Sequence, residues 1–182
     1  TFEFQISLAL MAAQTFGSDA TGYAALMSAF GAGAAIGGII AASRKETGPQ
    51  SFLGFGALAG FSILLASVAP TLGLAIAGMI LVGFFTVNMV STANSMIQLE
   101  AHPDMRGRVM AIWSMAMMGS TPIGGPIIGW LGEITDARIA LAAGGAAMLI
   151  AVVYGYIALV RRKPADHVVE DTTIRIAETH HA

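Results

Sequence analysis

Glu3 is the one charged side chain within the apolar segments of this sequence that stands well away from a polar loop. The apolar run around it ends near residues 14–16, and twelve helical residues cover about 18 Å, slightly more than half of a bilayer core about 30 Å thick. A carboxyl group at that depth is costly, and such groups serve proton relays in membrane proteins. Glu3 is therefore a proton-coupling candidate, with an interfacial position as the alternative. Gln5, in the same run, is a solute-path candidate.

The fourth apolar segment carries a set of uncharged polar side chains on one helical face. At 100° per residue this face, called here the polar face, consists of Asn88, Ser91, Thr92, Ser95 and Gln98, with Asn94 to one side. In a membrane, such a face must meet water or other protein. It is either a solute path, with Asn88 as its deepest member, or a set of interhelical hydrogen bonds that binds nothing.

The composition indicates that lipid surrounds most of the chain. Of 182 residues, 55% are hydrophobic and 11% are charged, whereas soluble domains carry about 25% charged residues. Mean hydropathy is +0.73. No cysteine is present, and the four histidines lie in polar segments. These features predict no metal site, no cofactor and no enzymatic nucleophile–base pair, and the basic loops are too small for a nucleic-acid surface.

The apolar runs predict an all-α membrane protein, a six-helix bundle whose first helix is truncated. A bundle over residues 1–160 is followed by a tail over 161–182, and Arg161-Arg162-Lys163-Pro164 is expected to end the last helix. The predicted spans are 1–16, 21–43, 52–69, 72–97, 109–132 and 137–160. Because the first run is short and begins at Thr1, we expect the chain to be a fragment that lacks an N-terminal part.

Glycine and proline residues recur within the second and fifth spans. Spaced glycines allow helix backbones to approach closely, and neighbouring helices can satisfy the backbone groups that proline frees. These residues are predicted to pack or bend their helices: Gly33, Gly37, Gly119, Pro122, Gly124, Gly125 and Pro126.

The basic residues lie in alternate loops. Eight of the nine Lys and Arg residues lie in the loop at Arg44 and Lys45, the loop at Arg106 and Arg108, and the tail; only Arg138 lies in the other set of loops. Because cytoplasmic loops are enriched in Lys and Arg, the basic loops and the C-terminus are predicted to be cytoplasmic.

Two motifs carry a resemblance to a known family. The run H-P-D-M-R-G-R-V-M-A-I-W-S-M begins at His102, and G-S-T-P-I-G-G-P-I-I-G begins at Gly119. With six spans and a basic loop after the second, the chain resembles the C-terminal half of a twelve-helix major facilitator superfamily transporter. Within that family it looks like the branch of enterobactin exporters and proton-driven drug efflux proteins. Thr121 and Trp130 replace glycines of the antiporter motif, and the loop at Arg44 lacks the aspartate of the gate motif.

The resemblance implies a function and several roles. It implies alternating access in a bacterial-type inner membrane, with proton-coupled efflux of a small, partly apolar or siderophore-like solute and an N-terminal half as partner. The helices carrying Glu3 and Asn88 would line the central cavity. The residues Arg44, Lys45, Arg106 and Arg108 would form the cytoplasmic gate loops. The alternative is a non-transporting membrane scaffold or sensor that acts through its cytoplasmic tail.

Overall fold

The computed structural model of the chain describes residues 4–15, 17, 20–44, 48–119 and 121–179; within these ranges the side chains of 4–6, 14, 121, 123, 133 and 160–179 lie outside the description. Every regular element in the described ranges is helical, as the sequence predicts. Seven α-helices follow in order: α1 (Phe4–Leu10, continued by a π-helical turn, Met11–Thr15), α2 (Ala20–Ser43), α3 (Pro49–Ser67), α4 (Leu72–Glu100), α5 (Arg106–Gly119), α6 (Thr121–Ile134) and α7 (Ala137–Thr179).

Local sequence signals explain where α3 and α4 begin. Pro49 is the first residue of α3, a position where its missing N–H is not needed. Thr71 precedes α4 and its hydroxyl accepts a hydrogen bond from the Leu74 amide at 3.4 Å. A short 3₁₀ turn, Pro103–Met105, then connects α4 to α5.

Four helices are long and apolar enough to cross a membrane: Ala20–Ser43, Pro49–Ser67, Leu72–Glu100 and the Ala137–Leu159 part of α7. The shortest has 19 residues, which at 1.5 Å each is about 28 Å, close to the thickness of the hydrocarbon core. The six spans expected from sequence are therefore represented by four such helices among the described residues.

Glycines bring α2 and α4 together in the most extensive helix pair of the structure. A Cβ on Gly33 would overlap the Ile80 carbonyl oxygen, and one on Gly83 would overlap that of Phe30. A Cβ on Gly37 would lie 2.7 Å from the Phe84 carbonyl oxygen. The backbones of α2 and α4 are therefore in contact along one face of each helix. Only glycine, which has no side chain, permits two helix backbones to lie so close together.

A second pair, α3 and α7, also packs through glycines. Gly60 of α3 lies against Leu149 and Gly145 of α7. The short helices α1 and α6 pack on the N-terminal part of α7, where Gly132 of α6 faces Leu10. The helices α2, α3, α4 and α7 thus form the framework of the bundle, and the polar face is part of α4.

The predicted span 109–132 is two helices, α5 and α6, of 14 residues each. Fourteen residues cover about 21 Å, less than the bilayer core. Pro122 lies in the first turn of α6, and because proline has no N–H it cannot continue the hydrogen-bond ladder from α5. Pro126, where the bend was expected, instead lies inside α6.

The expected end of the last helix at Pro164 is wrong, because α7 continues to Thr179. Its apolar sequence gives way to charged residues at Arg161. Proline removes one backbone hydrogen bond, and the Arg, Lys and Ala residues around it favour the helix. The apolar span and the helix therefore end at different residues.

Arg138 connects the end of α3 to the start of α7. Its guanidinium donates a hydrogen bond of 2.9 Å to the Ala69 carbonyl oxygen, and its amide donates to the Asp136 carboxylate at 3.0 Å. Arg138→Ala is expected to lower the free energy of unfolding by about 1 kcal/mol, the net value of one such hydrogen bond. Unfolding in detergent micelles measures this. Arg108→Ala, at an exposed position, is the control, and equal stability of the two variants would contradict the prediction.

Candidate functional site

Asn88, the deepest member of the polar face, is completely buried between α4 and α2. Its side-chain amide donates a hydrogen bond of 2.8 Å to the Phe84 carbonyl oxygen one turn earlier. A Cβ on Gly37 would lie 3.0 Å from Asn88 Nδ2, so the absence of a side chain on Gly37 makes room for the carboxamide. Asn88 was predicted as a solute-path residue and Gly37 as a helix-packing residue, and in the structure the two are in contact.

The carbonyl oxygen of the Asn88 side chain has no hydrogen-bond partner among the described residues. Nor has the hydroxyl of Thr86, which is 2% exposed on the same helix. A buried polar group without a partner costs about 1–3 kcal/mol, and such groups are few in native proteins. The middle of α4 therefore holds two buried polar groups that have no hydrogen-bond partner among the described residues.

The remaining members of the polar face lie toward the C-terminal end of α4. Thr92 is buried, and its hydroxyl donates to the Asn88 backbone oxygen at 2.8 Å. Ser91 and Ser95 are half-buried, and Gln98 is exposed. The polar face thus changes from buried at Asn88 to exposed at Gln98, toward the C-terminal end of α4.

Asn94 connects α4 to α5 by a hydrogen bond that the sequence did not reveal. The Trp113 indole N–H donates to Asn94 Oδ1 at 2.7 Å. No residue of α5 is buried, so this bond is a principal tie between α5 and the framework. The helical period placed Asn94 to one side of the polar face. That position was the one feature of the sequence to indicate that Asn94 contacts a different helix from Asn88.

Asn94→Leu is expected to shift the emission of Trp113 and to lower stability by about 1 kcal/mol, because the indole N–H loses its acceptor. A Trp130→Phe background leaves Trp113 as the sole tryptophan, since the chain has two. Ser114→Leu, an exposed neighbour of Trp113, is the control. An unchanged Trp113 spectrum in Asn94→Leu would contradict the prediction.

The structure places the other candidate residues as follows. Glu3 and Lys45 lie outside the described residues, and Gln5 is in α1 with its side chain undescribed. The Arg44 guanidinium lies 4.1 Å from the centre of the Phe55 ring, a cation–π contact between the α2–α3 loop and α3. Arg106 and Arg108 are exposed at the start of α5.

The predicted bend residues of the fifth span are distributed over α5 and α6. Gly119 ends α5 and is exposed, as is Pro122 in the first turn of α6. Gly125 is buried and Gly124 is half-buried, whereas Pro126 is exposed. Of these five residues, Gly124 and Gly125 are therefore the ones placed to contribute to packing between α6 and the rest of the bundle.

Comparison with known proteins gives one match. The family model described as Major Facilitator Superfamily matches residues 2–175. No curated protein and no solved structure matches significantly.

Proposed function

This chain belongs to the major facilitator superfamily, a family of membrane transporters, and with its apolar helices it is a multi-pass membrane protein; we propose that it carries out proton-coupled efflux of a small, partly apolar or siderophore-like solute by alternating access. The branch of enterobactin exporters and drug efflux proteins is the one we propose. The transporter would lie in a bacterial-type inner membrane with its C-terminus in the cytoplasm, as the distribution of basic residues favours.

The observation that carries the proposal is the unpaired side-chain oxygen of Asn88 in the interior of α4. A hydrogen-bond acceptor kept unsatisfied in an apolar bundle is well suited to a solute donor, because the bond formed there replaces no bond within the protein. In the described conformation Asn88 is closed off by α2. The solute reaches it in a second conformation, in which Asn88 is uncovered.

The remaining roles complete the mechanism. Glu3 carries the coupling proton, and Gln5, Ser91, Thr92 and Ser95 contact the solute along its path. A second bundle, the N-terminal half expected from the resemblance, supplies the opposite wall of the central cavity, as in transporters built from repeats. Arg44, Lys45, Arg106 and Arg108 form the cytoplasmic gate loops.

Glu3→Gln tests the coupling. In inverted membrane vesicles that hold a pH gradient, an entering solute is exchanged for protons, and a pH-sensitive dye reports the loss of the gradient. A panel of lipophilic cations and catecholate siderophores supplies the solutes. We expect solute-driven proton flux with the unsubstituted protein and with Glu100→Gln, an exposed carboxyl control, and none with Glu3→Gln. Normal flux in Glu3→Gln would remove Glu3 from the mechanism.

A scaffold or sensor is the second candidate, and the length of α7 favours it. The helix extends to Thr179, beyond the charged run that begins at Arg161, and a helix outside the membrane is able to bind a partner. Deleting residues 161–182 distinguishes the two functions. Solute-driven flux should survive the deletion in a transporter, whereas a scaffold would lose its partner and would show no flux in either form.

A further inference from the structure

Arg44 is the first residue after α2, and its side chain is held against α3. The guanidinium carbon lies 4.1 Å from the centre of the Phe55 ring, and both residues are half-buried. The Arg44 amide donates a hydrogen bond of 3.2 Å to the Ala41 carbonyl oxygen, which continues the last turn of α2. The backbone and the side chain of Arg44 are therefore both fixed, at the end of the bundle where α2 and α3 are joined.

Among the described residues, the Arg44 guanidinium has neither a carboxylate nor a carbonyl partner. A guanidinium carries five N–H donors, and a contact with an aromatic ring supplies no oxygen to accept them. Carboxylate and phosphate oxygens suit these donors best, because they can accept two N–H groups at once. Arg44 is therefore a fixed cation that can still bind an oxyanion.

The level of Arg44 in the membrane follows from α3. The apolar run of α3 begins near Phe52, three residues or about 4.5 Å before Phe55. Helical side chains tilt toward the N-terminus of their helix, so the Phe55 ring lies back toward Phe52, close to the boundary between hydrocarbon and headgroups. The 24 residues of α2 cover about 36 Å, slightly more than the hydrocarbon core. The guanidinium at its end thus lies at the inner edge of the headgroup layer, next to the lipid phosphates.

The outward face of α3 beside Phe55 is apolar. It consists of exposed residues at intervals of three and four: Gly54, Leu58, Phe61 and Leu65. On α2, Ile40 and Ile36 are exposed one and two turns before Arg44. Both helices are long enough to cross the membrane, and lipid chains are as apolar as these side chains. A lipid whose chains lie along them has its headgroup at the level of Arg44.

Further positive charge lies at the same end of the bundle. A Cβ on Gly155 of α7 would lie 3.0 Å from the Leu53 side chain of α3, and Gly60 lies against Gly145, so the two helices run in opposite directions. Six residues beyond Gly155, or about 9 Å toward the α2–α3 loop, α7 continues into the basic run Arg161-Arg162-Lys163. Basic residues next to a membrane span attract anionic headgroups, so this end favours an anionic lipid over a zwitterionic one.

We infer that Arg44 binds the phosphate of an anionic phospholipid, such as phosphatidylglycerol, and that Phe55 holds the guanidinium in position for it. The phosphate oxygens accept N–H donors that have no oxygen partner among the described residues, and the acyl chains lie along the exposed apolar residues of α2 and α3. The site lies where these two helices, which both pack on α4, are joined. The inference does not depend on the proposed transport.

Lipid titration of the full chain tests the inference without any substitution. Purified protein in detergent is titrated with phosphatidylglycerol or with phosphatidylcholine of the same acyl chains, and native mass spectrometry gives the affinity for the first lipid bound. We expect phosphatidylglycerol to bind at least about fivefold more tightly, the effect of one unit charge near a basic surface. Equal affinity for the two lipids would overturn the anionic lipid as occupant. Displacement of the lipid by soluble glycerol phosphate would overturn a lipid as the source of the phosphate.

Matched variants locate the binding. Arg44→Gln should lower the affinity for phosphatidylglycerol about tenfold, because charged hydrogen bonds are lost. Arg108→Gln, which removes the same charge at an exposed position of α5, should leave the affinity nearly unchanged. Equal affinity of these two variants would overturn the site, as it would be if Glu46, the nearest carboxylate in the sequence, held the guanidinium instead.

Variants of Phe55 test its positioning role while Arg44 is kept. Phe55→Leu should lower the affinity for phosphatidylglycerol about threefold, because the guanidinium loses its ring contact. Phe55→Trp should restore the affinity, since indole is the best ring for a cation–π contact. Equal affinity of the leucine and tryptophan variants would overturn the role of Phe55.

Discussion

Gly33→Ala is expected to leave little folded protein in the membrane. The added Cβ would overlap the backbone carbonyl of Ile80, which cannot move aside as a side chain could. Since α2 and α4 form the largest helix pair, the whole contact must open to admit one methyl group. Overpacking of this kind costs about 3 kcal/mol at the upper end of its range. The measurement is the free energy of unfolding by SDS titration, together with the amount of protein in the membrane fraction.

Gly31→Ala is the matched control for that variant. It lies on the same helix, two residues away, and a Cβ there meets nothing within 4 Å. Because alanine favours the helix more than glycine, this control should be as stable as the unsubstituted chain or slightly more so. Similar stability of Gly31→Ala and Gly33→Ala would show that the close approach of α2 and α4 is not required.

Asn88→Leu should reduce solute-driven proton flux by at least about tenfold while leaving stability equal or higher. Leucine has the same number of non-hydrogen side-chain atoms and the same branching at Cγ, and it removes a buried oxygen whose missing partner costs about 1–3 kcal/mol. Function and stability therefore change in opposite directions, as expected where a binding group is kept at a cost to folding. The flux assay in inverted vesicles and thermal unfolding of the purified protein measure the two effects.

Thr86→Val is the control for Asn88. It lies on the same helix and also removes a buried, unpaired polar group, so it should match Asn88→Leu in stability but keep its transport. If Asn88→Leu transported normally, the unpaired oxygen would have no role in solute binding. If it unfolded the protein, Asn88 would be part of the packing alone.

Hydropathy was sufficient to predict the bounds of three of the long helices. The helices α2, α3 and α4 lie within about three residues of the predicted spans at every boundary, because lipid requires long apolar runs with satisfied backbones. The spacing of Gly33 and Gly37 predicted a close contact, and both glycines lie against α4. Composition thus predicted a membrane protein, and glycine spacing predicted which face of α2 packs against another helix.

Helix boundaries near proline could not be predicted in the same way. Pro122 lies where one helix ends and the next begins, Pro126 lies inside a helix, and α7 passes Pro164. The effect of a proline depends on whether the carbonyl four residues earlier finds another partner and on what the neighbouring helices contribute. Those facts are properties of the packed bundle, which the local sequence does not contain.

The sequence also could not predict which residues the polar side chains would contact. Periodicity placed Asn88 and Thr92 on one face and Asn94 beside it, and it could not say which helix each would meet. In the structure Asn88 meets Gly37 of α2, and Asn94 bonds Trp113 of α5. A helical period defines the direction of a side chain about its own axis, whereas the neighbour in that direction is set by the tertiary arrangement.

The most direct test of alternating access is the reactivity of a cysteine at position 88, which needs no knowledge of the solute. The chain has no native cysteine, so Asn88→Cys carries the only thiol, and a charged, membrane-impermeant thiosulfonate reports whether water reaches it. A transporter that opens at α4 should show labelling of residue 88 that changes when a pH gradient is imposed, while Met79→Cys in the packed core of the same helix stays unreactive. Failure of the reagent to label residue 88 under any gradient would contradict a solute path at Asn88.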